Sequence, residues 1–240
     1  MRAILASEPL VRWDWVRDHL TRYCSDCVPT RTWEHIQLTV LAVAIGLLIS
    51  LPLGIYAYRH PRFYGPVTWV TGLLYTIPSI ALFAILVPIT GFTVTTAEIA
   101  LVSYTLLILI RNIVAGLRTV PEDVKDAARG MGHSRRQLLW RVELPLSLPA
   151  IVAGIRVATV STIGLITVAA LIGKGGLGQL VLEGLRIGYT TEILVGAVSS
   201  VLFALVADAL LLGAERSLTP WTRRRTVVVR DASSPLPVGA

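Results

Sequence analysis

The sequence predicts an all-α polytopic membrane protein with five core transmembrane helices, and two observations carry that prediction. Of the 240 residues, 54% are hydrophobic and only 15% are charged, against about 25% charged in a typical soluble domain. The apolar residues also gather into runs that reach the roughly 20-residue length needed to cross a bilayer as a helix. A soluble helical core does not need several runs of that length.

The runs fall at 36–58, 67–89, 99–117, 148–172 and 193–214. The first has Pro52 near its end. The second holds Pro78 and Ser79, the third Arg111 and Asn112, the fourth Pro149 and Arg156, and the fifth Asp208. Prolines are tolerated in such spans because neighbouring helices and waters satisfy the freed carbonyls. Residues 1–34 carry many charges and no apolar stretch of the kind a cleavable signal needs. The first run is therefore expected to act as its own insertion signal.

Lys and Arg divide unevenly between the connecting segments. Segments 59–66, 118–147 and 215–240 hold 13 of the 22 cations, and segments 1–35, 90–98 and 173–192 hold 7. Positively charged loops stay cytoplasmic, so the N-terminus is expected outside and the C-terminus inside. The net charge of +7 then reads as membrane topology rather than nucleic-acid binding. Arg223 to Arg225 read as a stop-transfer anchor near anionic lipid. The chain divides into an extracytoplasmic tail (1–35), a transmembrane domain (36–215) and a cytoplasmic tail (216–240) that is expected to be disordered.

The long cytoplasmic segment, 119–145, codes two short helices. Thr119 with Glu122 matches a capping box, and Pro121 suits a first turn. Gly130 and Gly132 are expected to stop that helix. Ser134 with Gln137 is a second capping box, followed by an apolar stripe of Leu138, Leu139, Val142 and Leu144, with Pro145 as the end. An amphipathic loop lying on lipid is the plain alternative.

The spacing inside this segment resembles a signature of ABC importer permease subunits: Glu-Ala-Ala, three residues, Gly, nine residues, Ile-x-Leu-Pro. Here it reads Asp126-Ala127-Ala128, Gly132, then Val142-Glu143-Leu144-Pro145, with Asp for Glu and Val for Ile. The resemblance implies a coupling helix seated in a groove of an ATP-binding subunit. Ala127 and Ala128 would allow close approach, Gly132 the bend, and Arg129, Arg135 and Arg136 pairing with acids on the partner.

The likeness extends over roughly residues 33–215. It takes in Trp33-Glu34-His35-Ile36, Leu51-Pro52-Leu53-Gly54, Thr76-Ile77-Pro78-Ser79, Arg111-Asn112, Ala153-Gly154-Ile155-Arg156 and Ile172-Gly173-Lys174-Gly175-Gly176-Leu177-Gly178. This combination resembles the osmoprotectant branch, whose permeases carry glycine betaine, choline or carnitine. Methionine importer permeases are the nearest rival. The resemblance implies a complex in a bacterial inner membrane: a second permease subunit, like or unlike, an ATP-binding subunit that uses ATP and Mg, and an extracytoplasmic substrate-binding protein. This chain is expected to need no cofactor, since it has no G-x-x-x-x-G-K-[ST] phosphate loop. A secondary transporter or channel is the rival of a different class, but the former often shows matched broken helices in two repeated halves, which five spans do not provide.

The remaining candidates are weighed singly. Gly173, Gly175, Gly176 and Gly178 fit G-x-G-x-x-G literally, but a dinucleotide site needs a preceding strand. They are better read as a flexible outer turn before a short helix at 180–185. Arg111, Arg156 and Asp208 are costly intramembrane charges; a pair between Asp208 and one of the arginines is open, as is snorkelling of the arginines to the interface. Trp69, Tyr75 and Tyr104 serve either as pore lining or as belt and packing residues. Cys24 and Cys27, outside the membrane, read first as free thiols, with a disulfide permitted there and metal binding disfavoured for want of four ligands. Trp13, Trp15, Val16 and Leu20 suggest an amphipathic helix at the outer interface. The four histidines form no catalytic constellation with a nucleophile.

Overall fold

A computed structural model describes residues 11–22 and 24–220. Among them the secondary structure is entirely helical. The order is α1 (Trp13–Thr21), α2 (Val28–Arg59), α3 (Pro61–Thr76), α4 (Ser79–Thr90), α5 (Val94–Arg118), α6 (Glu122–Gly130), α7 (Arg135–Leu138), a π turn (Leu139–Glu143), α8 (Leu144–Ala169), α9 (Leu177–Ile187) and α10 (Thr190–Leu218). The expected anchor at Arg223 to Arg225 and the tail beyond it lie outside the described residues.

Four apolar helices are long enough to cross a membrane: Val28–Arg59, Val94–Arg118, Arg135–Ile172 and Thr190–Leu218. The expected second span, 67–89, is not one rod. It is α3 and α4, bent by 92° at a break. Pro78 has no N–H, and it forces Ile77 out of the helical region to ψ 126°, as a residue before proline is driven. The Tyr104 hydroxyl donates to the Ile77 carbonyl freed by the break, supplying the partner that lipid would not.

The fourth span also departs from expectation. Pro145 does not end a helix; the chain stays helical from 135 to 172. A proline ring collides with the carbonyl four residues back. The wider π turn at 139–143 immediately precedes Pro145, and its added residue shifts the register that would clash.

The core is built on α5, which packs against α2 on one side and α8 on the other. Leu109, Ile110, Ile113, Val114 and Leu117 are almost wholly buried along it. Small residues allow both contacts, as is usual where helices meet in lipid. A methyl group at Gly154 would stand 2.4 Å from the Asn112 Cβ. Gly154→Ala should therefore push α8 from α5 and destabilise the chain by about 1–3 kcal/mol, read as a lower melting midpoint in detergent. Asn112, a candidate pathway residue, packs at this contact, and its amide donates to the Ile108 carbonyl at 2.8 Å.

Candidate functional site

The corner between α6 and α7 is set by local sequence. Gly132 takes φ +84° with open space beside it, so backbone conformation rather than crowding requires glycine there. Its N–H donates to the Arg129 carbonyl, and that of His133 to Ala128, which closes the end of α6. Gly130 is still helical and takes no left-handed conformation. Of the two glycines expected to stop the helix, only Gly132 makes the turn. Ser134 and Gln137 then form both halves of the expected capping box. The other expected box is not formed. The Thr119 hydroxyl donates backwards to the Gly116 carbonyl at 2.7 Å and finishes α5, a local bond that competes with a forward cap.

The expected contact residues divide between two faces. Asp126, Ala127, Arg129 and Gly132 are exposed, Ala128 is buried, and Val142, Leu144 and Pro145 are half-buried. Of the two alanines, Ala127 therefore faces outward and Ala128 does not. Arg129 donates to Asp126 at 2.6 Å and lies 3.8 Å from Glu122, so its charge is partly balanced within α6. Arg135, Arg136 and Arg141 are exposed. Beside them Met131 and Trp140 are 73% and 56% exposed.

A strap from the end of α2 holds this corner, and local sequence gives no sign of it. The Tyr58 hydroxyl donates to Glu143 at 3.1 Å, across 85 residues of chain. Arg59 donates to the Arg135 carbonyl at 2.8 Å and lies 3.8 Å from Glu143. Lys125 stands over the Tyr58 ring, 5.8 Å from its centre, and donates to Glu122 at 2.9 Å. Glu143 and Lys125 are each 4% exposed. Burial pulls the Lys125 pKa down, but Glu122 and Tyr58 outweigh it and hold the ammonium above its ordinary value.

A second site lies at the break between α3 and α4. A cavity of about 430 Å³ is lined by Tyr75, Ile77, Pro78, Ser79, Tyr104 and Ser161 among others. Tyr75 and Tyr104 meet edge to face at 5.8 Å. Pro78 and Ser79, two of the candidate pathway residues, thus line a cavity together with two of the three aromatic residues considered for a pore. Trp69 is 69% exposed and is not part of this lining.

The intramembrane charges pair in one of the two ways considered. Arg156 donates to both oxygens of Asp208, at 2.9 and 3.0 Å, and also to Glu215 at 3.1 Å. Glu215 was missed, although residues 208 and 215 share a helix face at a spacing of seven. Arg111 is exposed on α5 and makes no ion pair among the described residues. Replacing Asp208 with Leu should lower the yield of folded chain by leaving Arg156 short of its main acceptor. Asp208→Asn, which keeps one acceptor, should lose less; yields from both equal to that of the unmodified chain would show that the pair carries no weight.

At the other end of the spans, Cys24 and Cys27 form a disulfide, not the free thiols first expected. Arg31 and Ser25 hydrogen bonds hold the nearby Asp26 carboxyl below its usual range. The expected N-terminal helix is present as α1. The glycine turn is packed rather than loose: a methyl at Gly176 would stand 2.7 Å from the His35 Cβ, and one at Gly178 2.5 Å from the Thr167 Cα. Gly173 ends the preceding helical turn, and the following helix is α9, longer than expected. A helix, not a strand, precedes the turn. No group of three or more metal-ligating side chains occurs among the described residues.

Comparison with known proteins covers most of the chain. A family model described as "Binding-protein-dependent transport system inner membrane component" matches residues 42–224. The chain is 37% identical over 190 residues to a choline transport system permease protein of Bacillus subtilis, covering 79% of this chain and 88% of that one. It is 40% identical over 194 residues to an osmoprotectant import permease protein of Salmonella typhimurium, covering 79% and 90%. A carnitine transport permease protein of Listeria monocytogenes is 38% identical over 190 residues, covering 79% and 87%. Among solved structures, the inward-facing MetNI methionine ABC transporter superposes with a TM-score of 0.73 at 24% identity, covering 80% of this chain and 96% of that one.

Proposed function

The chain belongs to the binding-protein-dependent transport system inner membrane component family, and on that premise we propose that it is the membrane-spanning subunit of an ATP-driven importer for quaternary amine osmoprotectants such as glycine betaine, choline or carnitine. The observation that carries the substrate class is the likeness, at 37–40% identity, to permeases named for choline, osmoprotectants and carnitine. The likeness to a methionine transporter is 24% and speaks for the fold alone.

In this reading residues 119–145 lie in the cytoplasm and dock on an ATP-binding subunit, which uses ATP and Mg. The exposed Met131 and Trp140 and the arginines around them suit a partner groove with an apolar floor and an acidic rim. A second permease subunit, identical or paralogous, completes the pathway, and an extracytoplasmic binding protein delivers solute. The N-terminus is outside and the C-terminus inside. The strap through Tyr58, Arg59 and Glu143 supports a coupled motion: a push on α6 and α7 reaches α2 through it and α8 through the continuous helix. The cavity at the α3–α4 break, with Tyr75, Pro78, Ser79 and Tyr104, is the proposed stretch of pathway.

The experiment is uptake of radiolabelled choline, glycine betaine and carnitine by a strain stripped of its own carriers and supplied with this permease, its ATP-binding subunit and its binding protein. Uptake of at least one of the three, dependent on the ATP-binding subunit, supports the reading. Uptake of methionine and none of the three would replace the substrate class.

A further inference from the structure

We propose that the groove between the outer ends of α2 and α5 holds a phospholipid with a primary ammonium headgroup, its amine on Glu98. The groove is a cavity of about 590 Å³ whose lining includes Trp33, Gln37, Val40, Leu41, Ala44 and Glu98. It shares no lining residue with the cavity at the α3–α4 break. Its place in the outer leaflet rests on the orientation proposed above; the ammonium contact does not.

Glu98 is the reason to expect a ligand. It is 7% exposed, and neither oxygen of its carboxyl group has a hydrogen-bond partner among the described residues. The packing of α2 on α5 explains why. Gly46 lies against Thr105 and Gly54 against Ile113, and the same register sets Glu98 beside Thr39. The Thr39 hydroxyl is already committed, donating to the His35 carbonyl at 2.8 Å. Among the described residues that line the cavity none is basic. The other acid there, Glu34, already pairs with Arg31 at 2.9 Å. A carboxylate held in this way within a span is costly without a donor and a countercharge. The Glu98 stem lines the cavity, so rotation about its side-chain bonds turns the carboxylate into the groove.

The groove selects the kind of cation. Two oxygens without donors call for N–H groups, which a primary ammonium has and a quaternary ammonium lacks. The walls call for a hydrocarbon chain: Val40 and Leu41 are 62% and 45% exposed. From Trp33 to Ala44 the helix rises roughly 16 Å, about the depth of one leaflet. Trp33 is itself exposed and stands where an interfacial aromatic residue meets headgroups. Gln37 and Trp33 carry N–H groups suited to the lipid phosphate. A dissolved amine would meet the carboxylate but leave the apolar walls uncovered, so the lipid is the occupant that fits both.

The test is native mass spectrometry of the purified permease with its ATP-binding subunit, titrated in detergent with dioleoylphosphatidylethanolamine or dioleoylphosphatidylcholine. The expected result is a saturable adduct of the first lipid, held about tenfold more tightly than the second. Glu98→Gln should remove that preference and leave the melting midpoint unchanged or higher, since a buried unpaired charge is gone. Ala44→Phe, which fills the groove, should weaken both lipids. Leu205→Ala, on the exposed face of α10, should change neither. Equal binding of the two lipids by the unmodified complex, a preference that survives Glu98→Gln, or a preference lost in Leu205→Ala would overturn the proposal. So would displacement by free ethanolamine at the concentration of the lipid, which would assign the site to a dissolved amine. Coupled uptake, measured separately, reports on the transport reading whichever way the titration falls.

Discussion

Gly132→Val should leave the spans inserted and the ATP-binding subunit attached, while cutting solute uptake per ATP hydrolysed by about tenfold or more. The left-handed backbone at φ +84° costs a β-branched residue about 1–3 kcal/mol. The chain would avoid that strain by re-angling α7 against α6, and a change of about 1.4 kcal/mol in the coupled step is tenfold in rate. Open space around the residue means that the core is untouched, so expression and melting should change little. Two controls isolate the cause. Gly132→Asn should keep most of the coupling, since asparagine tolerates the left-handed region. Gly130→Ala, at a position that is helical, should be neutral or slightly stabilising. Equal coupling in the valine and asparagine variants would remove the backbone from the account.

Glu143→Ala should be the most damaging single change in the strap. It leaves the Tyr58 hydroxyl without its acceptor and removes the charge 3.8 Å from Arg59, at a position that is 4% exposed. An unmet buried donor costs about 1–3 kcal/mol, so the complex should melt lower and hydrolyse ATP with little uptake. Glu143→Gln keeps an acceptor for Tyr58 but loses the charge facing Arg59, and it should fall between wild type and Glu143→Ala. Tyr58→Phe removes only the hydroxyl and should be the mildest. These variants separate a strap that transmits motion from one that only stabilises: the transmitted effect appears in uptake per ATP, the stabilising effect in the melting midpoint alone. Unchanged uptake per ATP in Glu143→Ala, with a lowered midpoint, would reduce the strap to packing.

What could be read from residues alone was local. The apolar runs, the Ser134–Gln137 box, the turn at Gly132 and the possibility of an Arg156–Asp208 pair each depend on spacing along one helix or on the cost of a charge in lipid. What could not be read depended on neighbours. Pro78 in an apolar run signals a disturbed helix, but a 92° break rather than a kink depends on Tyr104 being present to satisfy Ile77. Pro145 looked like a stop because a π turn leaves no composition signal. Glu143 stood inside the recognised motif at a position that the motif leaves open, and its partner is on another helix. Thr119 could cap forward or backward, and only the path of the chain after α5 decides. Cys24 and Cys27 are close enough in sequence for either redox state, and the disulfide follows from the turn that brings them together before α2.

The central claim is that the α6–α7 corner meets an ATP-binding subunit and not the lipid surface. Photo-crosslinking amino acids placed at Met131 and Trp140, in membranes containing the whole complex, test it most directly, with a probe at the exposed Leu205 of α10 as reference. The account predicts that both corner probes join the ATP-binding subunit and that the Leu205 probe does not. Corner probes that label only lipid, in membranes where the complex imports solute, would contradict it.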